Sequence, residues 1–311
     1  MNLRRDDVFA ATAADSAMVV PVMALINTLA LFSPNTTLVV LSVKLTEAEV
    51  FRLCQFATRL GLRLRMLTFN SDIVQHTVLR SPHLSRVAYA RLFLPELLPD
   101  LERVIWLDTD TLVLENLTSL WQIEMEDSLV AAVPDDFIQK EEISDTGSQL
   151  GQYFNSGVMV MNLGLWRTEN LMSRVWDLIS SPNLIYEDQS VVNMICLNRV
   201  HLLNRKWNFF TRRFSEYPSA SRYISPAILH FGGTPKPWVD RTAFGQVFLR
   251  QLPVDVRKKV CAGFAKVSVM RRLDLAQRRI FGLLSGKRKH WIAVDLKIAE
   301  LKLIWRFYFR K

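Results

Sequence analysis

Residues 104–110 read Val-Ile-Trp-Leu-Asp-Thr-Asp. Four consecutive apolar residues predict a strand that is buried on both faces, as in the centre of a parallel sheet. Asp108 and Asp110 follow that strand, and ligands of open α/β sheets bind beyond the carboxyl ends of the strands. Residues two apart in extended chain point to the same side, so both carboxylates can converge on one divalent cation. The alternative is an ordinary polar turn, in which Asp is common.

The length and composition fit one large α/β domain or one domain with an appendage. The chain has 311 residues, of which 50% are hydrophobic, so a sizeable core is available. Residues 1–240 hold 21 Lys and Arg against 26 Asp and Glu, whereas residues 241–311 hold 18 against 4. This asymmetry argues against a protein built wholly to coat nucleic acid and indicates a catalytic body with a basic arm. We therefore place a catalytic domain at residues 1–240 and an extension at residues 241–311.

The cysteines and the first apolar segment bear on the compartment. Cys54, Cys196 and Cys261 are an odd number without a CxxC spacing, so neither a disulfide framework nor a cysteine-based zinc site is expected. Residues 18–32 are apolar, but a stretch of about fifteen residues is too short to span a bilayer, and it is poorly flanked for a secretion signal. We expect a buried helix there and a cytoplasmic protein.

Strands and helices are predicted to alternate, which implies a mostly parallel sheet with covering helices. A further helix is expected to begin after Thr46, which with Glu49 has the spacing of a capping box. The predicted strands are residues 8–13, 38–43, 64–69, 104–107, 111–114, 129–133, 154–161 and 227–231. The other predicted helices are residues 18–31, 83–98 and 187–197, and residues 139–151 are predicted to form a polar loop.

His230 ends the last apolar run, and Lys236 follows between two prolines that stiffen its loop. A single histidine at such a place is more often a satisfied core or turn residue. Two Asp, one His and phosphate oxygens would nevertheless make an octahedral Mn²⁺ site. The intervening glycines permit close approach of a ligand, and a fixed Lys is suited to a diphosphate. Together these features favour the metal site.

Four further polar residues have a structural and a functional interpretation. Asn155 would either bond backbone at the end of its strand or contact substrate hydroxyls. Asp188 and Gln189 open a predicted helix, where Asp is favoured as a cap as well as near a substrate. Arg91 would be either a surface charge or a second phosphate clamp. The residues themselves leave these alternatives open.

These motifs, in this order, resemble glycosyltransferase family 8, whose members are retaining enzymes that use a nucleotide sugar and Mn²⁺. The resemblance runs from about residue 8 to residue 238. It implies an α/β fold with a mostly parallel central sheet flanked by helices. This would be a single Rossmann-like nucleotide-sugar-binding domain of GT-A type, with a basic helical C-terminal extension. The motifs are Tyr-Ala-Arg-Leu at 89–92, Leu-Asp-Thr-Asp at 107–110, Tyr-Phe-Asn-Ser-Gly-Val at 153–158, Glu-Asp-Gln at 187–189 and His-Phe-Gly-Gly-Thr-Pro-Lys-Pro-Trp at 230–238.

The resemblance also implies roles for individual residues, with Mg²⁺ as the alternative ion. The implied Mn²⁺ ligands are Asp108, Asp110 and His230. The implied contacts of the donor are Asp15, Arg91, Asp108, Thr109, Asp110, Asn155, Gly233 and Lys236, of which Gly233 and Lys236 would contact the diphosphate. The implied catalytic residues are Asp188, which would also hold the donor sugar, and Gln189, which would lie close to the anomeric carbon.

The expected reaction is transfer of galactose or glucose from a UDP-sugar, with retention, to a glycan or glycolipid such as a growing lipopolysaccharide core. Lys236 and the metal would stabilise the charge that develops on the diphosphate. A same-face mechanism is preferred to double displacement through Asp188, because Gln189 occupies the closer place. Residues 14–17 read Ala-Asp-Ser-Ala and lack the family's uracil-stacking aromatic residue. A different donor sugar or base is therefore an alternative.

Residues 255–311 interleave basic clusters with large apolar side chains and end in Leu-Ile-Trp-Arg-Phe-Tyr-Phe-Arg-Lys. Such segments settle at anionic bilayer surfaces, where each basic residue contributes about 1 kcal/mol. We expect peripheral binding at the inner face of the plasma membrane and no nucleic-acid partner. The alternatives are a solvated helical face and an RNA-binding arm. A non-catalytic nucleotide-sugar or nucleic-acid binding protein that uses this tail is the rival from another class, and the complete metal and leaving-group set argues against it.

Overall fold

The computed structural model describes residues 7–75, 86–149, 151–181, 187–212, 214, 225–264 and 288–308. The chain forms two compact units, of which the first comprises Met1–Phe209 with Pro226–His230. The second unit comprises Phe210–Ser225 with Phe231–Lys311. The functional boundary at residue 240 stays a prediction.

The first unit is built on a seven-stranded sheet, in which β7 is antiparallel to both neighbours and the other neighbouring pairs are parallel. The strands that the structure describes are β1 (Val8–Ala14), β2 (Thr36–Ser42), β3 (Arg63–Thr68), β4 (Arg103–Leu107), β5 (Thr111–Val113), β6 (Val130–Pro134), β7 (Phe154–Asn162), β8 (Val200–Leu202), β9 (Phe209–Phe210) and β10 (Ile228–His230), and all except β5, β9 and β10 belong to this sheet. The order in the sheet is β3-β2-β1-β4-β7-β6-β8. The predicted mostly parallel α/β sheet is therefore confirmed.

The strand β4 lies in the middle of this sheet, as its sequence predicts. It pairs with β1 on one side and with β7 on the other, and the apolar residues 104–107 are at most 2% exposed. A strand with neighbours on both sides and helices over both faces excludes water from every side chain, which is why it is apolar without alternation.

The helices of the first unit are α1 (Val19–Phe32), α2 (Glu47–Arg59), α3 (Leu94–Leu97), α4 (Thr118–Trp121), α5 (Lys140–Asp145), α6 (Leu163–Thr168), α7 (Leu171–Ile179) and α8 (Asp188–Ile195). The helix α1 is buried along most of its length, as expected for the first apolar segment. The predicted capping box is present, because Thr46 Oγ1 accepts from the Glu49 amide while Glu49 accepts from the Thr46 amide.

Two predicted elements differ from the structure. Residues 83–85 lie outside the described residues, and the rest of the predicted helix 83–98 is a 3₁₀ segment, Arg86–Phe93, followed by the single turn α3. Pro95 in the first turn of α3 explains the break, since proline cannot continue an α-helix from the preceding residues. The predicted loop 139–151 contains α5, which is anchored by the buried Ile143 and has acidic residues in its first turn, where the helix dipole favours them.

The second unit contains α9 (Gly245–Leu249), α10 (Val254–Gly263) and α11 (Arg288–Tyr308). Its aromatic core includes Phe248, which packs on Phe231 and on Trp238 with ring centroids 5.6 and 5.4 Å apart. The Gln246 amide at the start of α9 donates to Glu300 of α11 at 3.2 Å. Among the helices that the structure describes, none combines the length and the apolarity needed to cross a bilayer.

Candidate active site

Asp108 and Asp110 occupy a turn directly after β4 that the backbone holds in place. The Asp108 carbonyl accepts from the Thr111 amide at 3.1 Å and from the Thr111 hydroxyl at 2.7 Å. The chain then enters β5, which pairs antiparallel with β10, and Thr111 lies opposite His230 in this pairing. The pairing brings a histidine from far along the chain to the two aspartates.

The three predicted metal ligands form one cluster. Their ligand atoms lie within 4.8 Å of one another. The His230 Nε2 atom is 3.3 Å from Asp110 Oδ1 and 3.8 Å from Asp108 Oδ2, and both His230 and Asp110 are buried. Two carboxylate oxygens and one imidazole nitrogen suit Mn²⁺. They also suit Mg²⁺, although Mg²⁺ prefers oxygen ligands to an imidazole nitrogen. The residues therefore fit the expected cation.

Gly157 of β7 is a site residue whose role the sequence patterns did not reveal. A Cβ atom at this position would lie 2.3 Å from His230 Cε1 and 2.8 Å from Asp108 Oδ2. With a larger residue at position 157, His230 and Asp108 could not both keep these positions. A glycine inside an apolar strand is the signal that could have identified it, since such glycines mark close approach of other groups.

Arg91 is buried, so the interpretation as a surface charge is wrong. It bonds Asp108 Oδ1 at 2.9 Å and Asp188 Oδ2 at 2.9 Å. Trp106 Nε1 donates to the same Asp108 oxygen at 2.8 Å. With Oδ1 held by two donors, the other oxygen of Asp108 is the one that faces His230. Contact of Arg91 with the donor stays a prediction.

Asp188 is the first residue of α8 and is also buried. Burial raises the pKa of its carboxyl group, the Arg91 guanidinium opposes this shift, and the Asp108 carboxylate reinforces it. The Asp188 and Asp108 carboxylates both bond the buried Arg91 guanidinium, so the two carboxylates interact electrostatically through it. Asp188 therefore belongs to the site by contact, and its catalytic role stays a prediction.

Asn155 and Gln189 meet in a network that also includes Asp135. Asn155 Nδ2 donates to Gln189 Oε1 at 2.8 Å, and Gln189 Nε2 donates to Asp135 Oδ2 at 3.1 Å. Asp135 directly follows the buried strand β6 in the way that Asp108 follows β4, but no sequence motif identifies it. The interpretation of Asn155 as a purely backbone-bonded residue is thus too narrow, because its amide orients the Gln189 side chain.

The remaining candidates lie at two other places. Asp15 accepts from the Ala17 amide at 3.0 Å, and the Thr109 hydroxyl contacts Met18 Sδ at 3.4 Å. These contacts place the turn after β1 beside the turn after β4, and binding of the donor by Asp15 and Thr109 stays a prediction.

Gly233 and Lys236 belong to the second unit. Gly233 has a φ of 77°, which favours glycine, and Lys236 Nζ donates to the Phe231 carbonyl at 3.2 Å. Their contact with a diphosphate stays a prediction.

Comparisons with known proteins agree with this arrangement. General stress protein A of Bacillus subtilis is 30% identical over 211 residues, which are 61% of this chain and 72% of that protein. A lipopolysaccharide 1,2-glucosyltransferase of Escherichia coli is 31% identical over 154 residues, and the match spans only 45% of either chain. The crystal structure of the galactosyltransferase LgtC with donor and acceptor sugar analogues has a TM-score of 0.69 at 23% identity, covering 85% of this chain and 99% of that one.

The likeness to LgtC shows a shared fold of GT-A type, as the motifs predicted. The family model named Glycosyl transferase family 8 matches residues 10–242, which is well over half of the chain and includes every metal-ligand candidate. The predicted enzyme class, a hexosyltransferase, is confirmed at the level of the family. On this match, and with the Asp-Asp-His cluster at the expected edge of the sheet, the chain belongs to glycosyltransferase family 8.

Proposed function

We propose that the protein is a retaining, Mn²⁺-dependent enzyme that transfers galactose or glucose from a UDP-sugar to a glycan or glycolipid in lipopolysaccharide synthesis. The cluster of Asp108, Asp110 and His230 carries the proposal, because its three ligand atoms converge at the edge of the sheet where nucleotides bind. Family membership supports sugar transfer. The name of the Escherichia coli relative supports a lipopolysaccharide acceptor, and that of LgtC supports galactose as one donor sugar.

Different residues would stabilise the negative charge that develops on the diphosphate leaving group. A divalent cation, when bound, would supply positive charge next to the diphosphate oxygens. Asp108, Asp110 and His230 would hold it, and the ammonium group of Lys236 would neutralise further negative charge as the sugar departs. Arg91 fixes Asp108 and Asp188 relative to each other. It would thereby preserve the distance between the ligand set and a donor sugar held by Asp188.

Retention is proposed to occur by departure and attack on the same face of the sugar. Asp188 is the carboxylate nearest to Gln189 in sequence, but its Oδ2 is bonded to the Arg91 guanidinium. This bond weakens it as a nucleophile, which argues against a covalent intermediate through Asp188. The amide of Gln189 would instead face the anomeric carbon, oriented by Asn155 and Asp135.

Slow hydrolysis of UDP-sugars without an acceptor tests this function. Wild-type protein with Mn²⁺ should hydrolyse one member of a panel of UDP-sugars fastest, and EDTA should abolish the reaction. Asp110→Ala should reduce the rate by about a hundredfold or more, because one ligand of the cation is lost. The matched control is Asp72→Ala, which removes an exposed carboxylate paired with Lys44. Hydrolysis without metal would contradict the proposal, and tight binding without turnover would favour the non-catalytic rival.

We further propose that an anionic membrane surface is a partner of the C-terminal extension. Ile298, Leu301 and Trp305 of α11 recur at spacings of three and four, so they share one face of the helix. They are 46%, 51% and 65% exposed, and the basic Lys302 and Arg306 adjoin them. An apolar face bordered by cations suits lipid headgroups. This binding would place the enzyme at the inner face of the plasma membrane.

Flotation with liposomes tests the membrane proposal. Full-length protein should float with anionic liposomes at low salt and less at high salt, since the charge term is screened. The triple substitution of Ile298, Leu301 and Trp305 by Ser should weaken binding at both salt concentrations. Phe51→Ser is the control, because Phe51 is equally exposed, at 66%, but lies on α2. Equal flotation of the triple variant and the wild type would contradict the proposal.

A further inference from the structure

Asn208 lies directly before β9 and is only 2% exposed. Its side chain bridges two residues of the candidate site. The Oδ1 atom is 2.8 Å from His230 Nδ1, and the Nδ2 atom is 2.8 Å from Asn155 Oδ1. None of the sequence motifs includes Asn208, and none of the roles assigned above belongs to it.

A backbone group fixes the orientation of Asn155. The Gly157 N–H group can only donate a hydrogen bond, and it lies 3.0 Å from the Asn155 atom assigned as Oδ1. That atom must therefore be the carbonyl oxygen, which leaves the Asn155 amino group to face Gln189. The Ser156 N–H group fixes Gln189 in the same way, because it donates to Gln189 Oε1 at 3.2 Å.

The orientation of Asn155 fixes that of Asn208. Since Asn155 presents an oxygen, Asn208 must present its amino group to it. The carbonyl oxygen of Asn208 then faces His230 Nδ1 and can only accept, so the imidazole must carry a proton on Nδ1. In the neutral ring the other nitrogen, Nε2, then has a lone pair, and it is this nitrogen that lies 3.3 Å from Asp110 and faces the proposed cation.

We propose that Asn208 is a positioning residue that holds His230 in the tautomer whose Nε2 can ligate a cation. Asn155 and the Gly157 amide act behind it by fixing the orientation of the Asn208 amide. This inference rests on the proposed role of His230 as a metal ligand. Partners of this kind, bonded to the second ring nitrogen of a ligating histidine, change metal affinity by about 10–100-fold when they are removed.

The direct test reads the tautomer in full-length protein without metal. Protein with ¹⁵N-labelled histidine, kept in EDTA, is measured by long-range ¹H–¹⁵N correlation, and His230 is identified among the five histidines by its loss in His230→Gln. At a pH where the imidazole ring carries a single proton, wild type should show that proton on Nδ1 and an unprotonated Nε2. Asn208→Leu, which is similar in size but cannot accept, should shift the ring toward the opposite tautomer.

Titration with Mn²⁺ alone, followed by the electron paramagnetic resonance signal of the unbound ion, supplies the second measurement. Asn208→Leu should weaken Mn²⁺ binding by about 10–100-fold. Asn208→Asp keeps an acceptor opposite Nδ1, and its affinity should lie between those of wild type and Asn208→Leu. This variant also keeps the test decisive if Asn208→Leu does not fold.

The matched control is Asn162→Ala, at the other end of β7. It removes the side-chain cap of α6 and so lowers stability without touching His230. It should leave both the tautomer and the Mn²⁺ affinity unchanged.

The proposal is overturned if Asn208→Leu retains the proton on Nδ1 and binds Mn²⁺ within twofold of wild type, or if Asn208→Asp loses as much affinity as Asn208→Leu. If wild type does not bind Mn²⁺, that result contradicts the proposed function. It does not bear on the tautomer of His230, because the tautomer is measured without metal.

Discussion

Gly157 shows how much a single residue contributes to the metal cluster. Gly157→Ala should lower Mn²⁺ affinity at least tenfold and destabilise the protein by about 1–3 kcal/mol, because the new Cβ would overlap His230 and crowd Asp108. Mn²⁺ titration and urea unfolding measure the two effects. Gly263→Ala is the control, since a Cβ there meets no atom within 4 Å. Unchanged affinity in Gly157→Ala would mean that the ligands tolerate displacement.

Asp188 should give the metal-free protein a characteristic pH dependence. Its pKa is raised in the folded state above the ordinary value of 3.8, so between the two values the folded protein binds more protons than the unfolded chain. The contribution of Asp188 to stability is therefore present at low pH and is lost as the pH rises through the raised pKa.

Urea unfolding in EDTA between pH 3.5 and 7 checks this sign. The free energy of unfolding of wild type minus that of Asp188→Asn should decrease with rising pH, by about 1.4 kcal/mol per pH unit at most. Asp72→Asn, which changes an exposed carboxylate, supplies the baseline. A difference that increases with pH would show that Arg91 outweighs burial.

At the scale of elements, the direction of β7 explains the composition of the site. Leu107 at the end of β4 lies opposite Val158 near the start of β7, because the two strands are antiparallel. The start of β7 therefore reaches the edge where the parallel strands end, and it delivers Asn155, Ser156 and Gly157 next to Asp108. A parallel β7 would have placed the same residues at the opposite edge.

The short helix α5 is tied to the site by one carboxylate. The Glu142 carboxylate lies 3.0 Å from the Tyr153 hydroxyl and is also in hydrogen-bonding contact with the Ser190 hydroxyl. The two hydroxyls lie 2.8 Å apart, so their two protons are shared among these three contacts. Burial raises the pKa of Tyr153, so its phenol stays protonated as a donor. Ser190 follows Gln189 in α8, and so α5 is anchored beside the candidate catalytic residue.

Glu142→Ala should release α5 without unfolding the sheet. We expect faster amide exchange over residues 140–145 and a loss of about 1–3 kcal/mol of stability, since a buried hydroxyl pair loses its charged acceptor. Hydrogen exchange measured by mass spectrometry and urea unfolding give the two values. Glu141→Ala is the control, because Glu141 is exposed on the same turn. Equal exchange in the two variants would contradict an anchoring role.

For the whole molecule, a cation bound only by the folded state must raise overall stability. Mn²⁺ at a hundred times its dissociation constant should add about 2.7 kcal/mol to the free energy of unfolding. EDTA should remove the gain, and Asp110→Ala should show none, whereas Asp72→Ala should respond like wild type. If Mn²⁺ does not change the free energy of unfolding of wild type, the cluster holds no cation before the donor binds.

The charge of the whole chain divides in the same way as its proposed tasks. Residues 1–240 hold 21 basic against 26 acidic residues, and residues 241–311 hold 18 against 4. The acidic excess therefore lies in the part of the chain that is proposed to hold a cation, and the basic excess in the part that is proposed to meet an anionic surface. The net charge of either part does not predict the fold. It does indicate which part of the chain would bind the cation and which part would bind the anionic membrane surface.

Local pattern in the sequence determined the described strands other than β8 and β9, which it did not predict. It also determined the buried helix α1, the Thr46–Glu49 cap and the identity of the three metal-ligand candidates. These features depend on the period of apolar residues and on which side chains can ligate a cation, and both can be read within a few residues. The helix predicted at 83–98 is a 3₁₀ segment and one α-helical turn in its described residues, because Pro95 interrupts it. The loop predicted at 139–151 contains the short helix α5, because the buried Ile143 anchors it.

Tertiary structure alone decided the direction of β7, the role of Arg91 as a bridge between Asp108 and Asp188, and the place of Asn208. Asn208 is 53 residues from Asn155 and 22 residues from His230 in the chain. No motif in the sequence around Asn208 predicts its contact with either residue. A hydrogen-bond network of this kind depends on which distant groups the sheet brings within 3 Å of one another. That is a property of the topology, and it does not appear in the spacing of residues along the chain.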